Sequence, residues 1–187
     1  MNIECDTQVE YRRSVIDGAT SDYADHVLSV QQGDGPVRMY RCGLPGSAIY
    51  SYRVVCTDGW IAVFGDIGDM ILSVNCGHED GAAERWICGA SKSPGYVIEK
   101  MRTKPERVLL LGAVTDYVSD MGAKIREIVR DAIDESPDDG MAICHAVYTA
   151  TGDPDFFNAV TDEAPVVYRI VAALQRFAIL YRAHRGM

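Results

Sequence analysis

Asp58-Gly59-Trp60-Ile61-Ala62-Val63-Phe64-Gly65-Asp66-Ile67-Gly68 reads as a turn, a buried strand and a second turn. Asp58-Gly59 supplies the positive-φ chemistry of a tight hairpin, Trp60 to Phe64 alternates and is rich in β-forming residues, and Gly65-Asp66-Ile67-Gly68 reverses the chain again. Two glycines within four residues, with Asp66 between them, predict a bulge or a backbone approach too close for a side chain. Gly59, Gly65, Asp66 and Gly68 are therefore expected to be structural turn residues.

Working outward, Val27–Gln31, Val37–Cys42, Ala48–Cys56 and Met70–Val74 give further short strands, separated by Gly33-Asp34-Gly35-Pro36 and Gly43-Leu44-Pro45-Gly46-Ser47. Short consecutive connections favour an antiparallel meander, one face of which needs a cover. Residues 1–18 have weak periodicity and read as an irregular arm or a short first helix, and Thr20-Ser21-Asp22 offers a helix N-cap. Beyond the strands, Gly77 to Ser91 reads as a loop with a short helix around Ala82–Ile87. Ser93-Pro94 opens a helix to about Met101, and Lys104-Pro105 starts the next piece. Val114, Tyr117, Val118, Met121, Ile125, Ile128 and Val129 recur at the spacing of one helix ending near Glu135. Ser136-Pro137 and Asp153-Pro154 repeat the cap-and-proline device, and Val166 to Arg182 carries a broad apolar stripe. The expected fold is α+β: one domain over 1–187, with an N-terminal antiparallel β-sheet (20–76) packed against C-terminal α-helices (93–187).

The upstream run from Tyr40-Arg41 to Tyr52, the central Gly59, Gly65, Asp66 and Gly68, and the downstream Ser93-Pro94-Gly95-Tyr96-Val97-Ile98-Glu99-Lys100 together carry a resemblance. They resemble a family of tailed-phage and prophage accessory proteins with the pattern Trp-Pro-Gly-His-Leu, Gly-Asp-Met-Gly and Asn-Pro-Gly-Tyr-Trp-Ala-Glu-Lys. The likeness spans roughly residues 22–102; this chain has Thr57-Asp58 before the first glycine, Trp60-Ile61 after it, and Ile67 for methionine. The resemblance implies phage or mobile-element origin and an early, host-directed role, of the kind anti-CRISPR proteins play. It implies no reaction.

The formal charge of −9 is unevenly spread. Nine acids lie between Asp131 and Glu163, with no Lys or Arg from Asp131 to Tyr168, whereas the last helix carries Arg169, Arg176, Arg182 and Arg185. Such polarity disfavours nucleic acid as a direct partner and favours a basic protein surface. Asp131, Asp134, Glu135, Asp138 and Asp139 are the expected partner-binding residues, because carboxylates spaced along a helix and loop occupy a channel built for phosphates. The expected partner is a host defence protein or ribonucleoprotein complex, met in the host bacterial cytoplasm; a homodimer acting as a structural or regulatory phage module is an alternative. The N-terminus lacks the basic and apolar regions of a signal peptide, and no run reaches membrane-spanning length.

Enzymatic readings find thinner footing. Asp66, Asp69 and His78 are the residues a small metal-dependent nuclease would use, since hard oxygens suit Mg²⁺, but Asp66 between glycines also serves to cap a turn. Gly65-x-x-Gly68 precedes a strand and offers no helix N-terminus to a phosphate. Cys144 and His145 are adjacent, point about 100° apart on a helix, and cannot pair. The six cysteines, Cys5 among them, lack regular spacing, and Cys76, His78 and Cys88 want a fourth zinc ligand. Tyr40, Tyr50 and Tyr52, interleaved with Arg38, Arg41 and Arg53, form either a base-stacking face or a strand pair with one buried face. The expectation is a binding protein with no catalytic residues, metal or cofactor.

Overall fold

A computed structural model describes residues 2–3, 7–102 and 107–187; Cys5 and the Lys104-Pro105 start lie outside them. The fold is α+β. Two compact units divide the chain: a sheet unit of Val15–Lys104 with Pro165–Met187, and a helical unit of Met1–Ser14 with Pro105–Ala164. The last helix thus belongs with the sheet, and the helices between residues 111 and 160 lie in the other unit.

The sheet unit holds five strands, β2 (Val27–Gln32), β3 (Arg38–Gly43), β4 (Tyr52–Cys56), β5 (Trp60–Gly65) and β6 (Met70–Ser73); β1 (Asn2–Ile3) lies in the other unit. They pair antiparallel in sequence order, as a meander requires, with Tyr40 opposite Val54 and Val54 opposite Val63. β4 begins at Tyr52, later than the expected Ala48, because Ala48–Ser51 turns and Tyr50 takes φ 56°. Alternation sends Tyr40, Cys42, Tyr52, Val54, Ile61, Val63 and Leu72 into the core. There they meet α8 (Pro165–Arg185), which is buried along Val167, Ile170, Val171, Leu174 and Phe177. The Tyr52 hydroxyl donates to the Ala173 carbonyl at 2.8 Å, and Tyr40 meets Phe177 and Tyr181 edge-on.

The second half of α1 (Gln8–Asp22), with α2 (Ala82–Ala90) and α3 (Pro94–Lys100), completes this layer. α1 contains Thr20-Ser21-Asp22 in its last turn, so that triplet ends a helix instead of capping one. α2 is longer than expected, and the Ala-rich sequence that obscured its period lets it pack closely, with Ala83 and Ile87 in the core. α3 starts with proline at its first position, as expected, although the Ser93 side chain makes no capping bond.

In the helical unit, β1 (Asn2–Ile3) runs parallel to β7 (Val108–Leu110), which pairs antiparallel with β8 (Thr161–Asp162). Arg12 Nε donates to the buried Asp162 carboxylate at 2.7 Å, and Arg107 donates to the Thr161 carbonyl and Asn158 Oδ1. The single helix expected from Val114 to Glu135 is two, α4 (Leu111–Ser119) and α5 (Ala123–Glu135). Glycine at 122 disfavours helix continuation, and Arg126 Nη1 donates to the Ser119 carbonyl, satisfying an acceptor that the break exposes. α6 (Gly140–Thr151) and α7 (Phe156–Val160) follow. Val114, Val118, Val129, Ile143, Val147 and Phe156 make the core of this unit.

Candidate protein-interaction surface

α5 turns Ile125, Val129 and Ile133 inward at helical spacing, which leaves Lys124, Glu127, Arg130, Asp131, Asp134 and Glu135 exposed. A short turn carries Asp138 and Asp139, both exposed, into α6, so the five nominated carboxylates gather at one end of a helical hairpin. Asp139 has a second task. Its Oδ1 accepts from the backbone N–H of Met141 at 3.1 Å and of Ala142 at 3.0 Å, making it the N-cap of α6. The Ser136-Pro137 pair was expected to cap that helix, but α6 begins only after Asp139. At its far end Asp153 Oδ1 accepts from Asp155 N–H, and α7 starts after Asp155.

Sequence reasoning missed what lies beside the carboxylates. α6 buries Ile143, Cys144 and Val147, and this faces Met141, His145 and Tyr148 outward at i, i+4 and i+7. Met141 is 75% exposed and Tyr148 51% exposed, on the helix that follows the acidic turn. Met and Tyr are among the residue types enriched at protein contacts. The seven-residue spacing of Met141 and Tyr148 was the available signal.

The glycine turns are held for packing. A Cβ on Gly65 would sit 2.4 Å from the Ser51 carbonyl oxygen, and one on Gly68 would sit 2.3 Å from Val166 Cγ2, at φ values of 143° and 105°. Gly59 takes φ 85° in the β4–β5 turn. Asp66 is exposed between the glycines, and its backbone N–H donates to the Ser51 carbonyl. Asp69 Oδ1 accepts from Gly65 N–H at 3.3 Å. His78, by contrast, contacts Asp58 at 3.3 Å in the β4–β5 turn, whereas Asp66 and Asp69 lie in the β5–β6 turn. The six residues of β5, roughly 20 Å of strand, separate those turns, so the structure does not bring the three together.

A buried polar cluster went unforeseen. Arg38, at an inward position of β3, donates through Nε (2.6 Å) and Nη2 (3.1 Å) to the two oxygens of Glu84 on α2, and the Tyr40 hydroxyl donates to Glu84 Oε1 at 2.7 Å. Glu84 is fully buried. Burial pushes its carboxyl up, but the hydrogen bonds from Arg38 and Tyr40 outweigh that and hold it below the usual range. The Arg–carboxylate fork has every strong acceptor engaged, so its role is to fasten α2 to the sheet. An arginine in an inward strand position was the signal, since it requires a buried acid.

Tyr40 and Tyr52 are core residues, Arg38 is buried, and Arg41 donates to the Ser47 carbonyl, so of the two readings the strand pair with one buried face is the one observed; Arg53 lies over the Phe64 ring. Cys42, Cys56, Cys76, Cys88 and Cys144 are free thiols. Cys88 Sγ faces the Ala178 carbonyl in the core, away from any ligand role with Cys76 and His78, and burial raises its pKa. Among the described residues no three His, Cys, Asp or Glu side chains converge as a metal site requires, and no helix is long and apolar enough to cross a membrane. Compared with protein-family models, curated proteins and solved structures, the chain matches none.

Proposed function

We propose that this protein is a phage-encoded anti-defence inhibitor of the anti-CRISPR type, acting by stoichiometric binding through the α5–α6 hairpin to a host nucleic-acid-binding complex. The observation that carries the reading is the pairing of solvent-facing carboxylates at the hairpin turn with exposed Met141 and Tyr148 on the adjoining helix. Carboxylates take the places of phosphates against Lys and Arg, and the apolar side chains supply the desolvated contact that distinguishes a protein ligand from nucleic acid. The phage context rests on the resemblance alone. A hydrolytic role for Asp66, Asp69 and His78 lacks comparable support, since β5 stands between them. The test is capture from nuclease-treated host lysate by wild type and by an Asp134→Lys/Asp138→Lys variant, which spares the Asp139 cap. The reading expects a nucleic-acid-binding complex with wild type and none with the variant; equal capture by both rejects the hairpin as the contact.

A further inference from the structure

α8 directs Ala173, Phe177 and Tyr181 at the sheet, and its opposite face, with Gln175, Arg176, Ile179 and Arg182, floors a groove of about 430 Å³. The end of α1, at Thr20, and the α2–α3 turn, at Lys92, wall it. Its volume falls within the range of small-molecule sites. In a chain of net charge −9, this groove has three cations in its lining and no carboxylate.

The cations are held with donors to spare. Arg176 Nη2 donates to the His26 carbonyl at 3.0 Å, while its Nε is buried and meets no acceptor among the described residues. Arg182 Nη2 donates to the Cys88 carbonyl, and Gln175 Nε2 donates to the Ser91 carbonyl at 3.0 Å. Backbone carbonyls therefore fix the stems without neutralising the guanidinium charges. Native proteins rarely leave a buried N–H unpaired, so the Arg176 guanidinium keeps hydrogen-bonding capacity that the described residues leave unused. Beside the cations Ile179 is 56% exposed, an apolar patch adjoining the charge.

We propose that this groove binds a small organic phosphate monoester, its phosphate held by Lys92, Arg176 and Arg182 and its organic body lying on Ile179. Guanidinium forks match the tetrahedral oxyanion, and three unneutralised cations suit a dianion better than a carboxylate. The test titrates the full chain with phenyl phosphate, inorganic phosphate and benzoate by calorimetry, and follows the Arg176 Nε–H resonance. Phenyl phosphate should bind saturably, about tenfold tighter than either of the other two, and should shift that resonance. Lys92→Glu and Ile179→Asp, at exposed positions, should each weaken binding about tenfold or more with circular dichroism unchanged. Three outcomes overturn the proposal: no saturable binding of phenyl phosphate to wild type, saturable binding that leaves the Arg176 Nε–H resonance unmoved, or affinities unaltered in both variants.

Discussion

Glu84 shows how much a single side chain can carry. Its carboxylate is buried with Arg38 and Tyr40 as its donors, so Glu84→Ala leaves Arg38 Nε and Nη2 and the Tyr40 hydroxyl without acceptors in the core, only Arg38 Nη1 keeping its bonds to Gly35 and Asp80, and should cost about 3 kcal/mol in chemical denaturation. Gly65→Ala meets backbone atoms of Ser51 and Tyr52 that have nowhere to go, at a φ that disfavours any Cβ; a loss of about 1–3 kcal/mol is expected from the backbone conformation alone. His26 gives a pH signature. It is buried against Tyr23 and Tyr52, and neither ring nitrogen finds a partner within the described protein. Burial, then the charges of Arg176 and Arg41, depress its pKa below 6.5, against opposing contributions from Asp22 and Asp25. A depressed folded-state pKa means that the stability from neutral His26 is present above the unfolded value and lost as pH falls below it, at up to about 1.4 kcal/mol per pH unit. Denaturation midpoints measured from pH 7 to 5 should fall for wild type and stay flatter for His26→Leu. Of these residues, the glycines were legible because a Gly-Asp-Ile-Gly turn constrains its own backbone. Glu84 was not, because its partner lies on another element and no periodicity links an inward arginine to a distant helix.

Elements were legible in proportion to how local their causes are. The five strands follow from alternation and turn residues within each hairpin, and sequential pairing needs nothing else. Helix ends were read less well because competing caps look alike in sequence. Ser136-Pro137 and Asp139 both fit a start, and only the bonds to Met141 and Ala142 decide for Asp139. Asp139→Ala should therefore lower stability by about 0.5–2 kcal/mol, while Asp139→Asn retains most of it; thermal unfolding of the two variants measures the difference. The break between α4 and α5 escaped the reading because the apolar period runs through it: Val118 and Val129 lie on either side and share one core. The three-stranded β1-β7-β8 sheet escaped it because strands of two and three residues carry no pattern.

At the scale of the molecule, the charge polarity seen in the sequence maps onto distinct surfaces. Acids crowd the α5–α6 turn, whereas Arg176 and Arg182 of α8 line a groove with no carboxylate in its lining. That α8 covers the sheet agrees with the expected packing of C-terminal helices, although the contacts that bury it join residues more than a hundred positions apart. The candidate contact surface was half legible: its acids stand out in composition, but the outward turn of Met141 and Tyr148 depends on which face of α6 the rest of the unit buries. The claim that this surface replaces phosphates is tested most directly by competition on the captured host complex. Increasing amounts of wild type, and of Asp134→Lys/Asp138→Lys, are titrated against the complex bound to labelled nucleic acid, at low and moderate salt. The account predicts stoichiometric displacement by wild type, weaker as salt rises, and none by the folded variant. Nucleic acid that stays bound at saturating wild type, or that is displaced equally well by the variant, would contradict it.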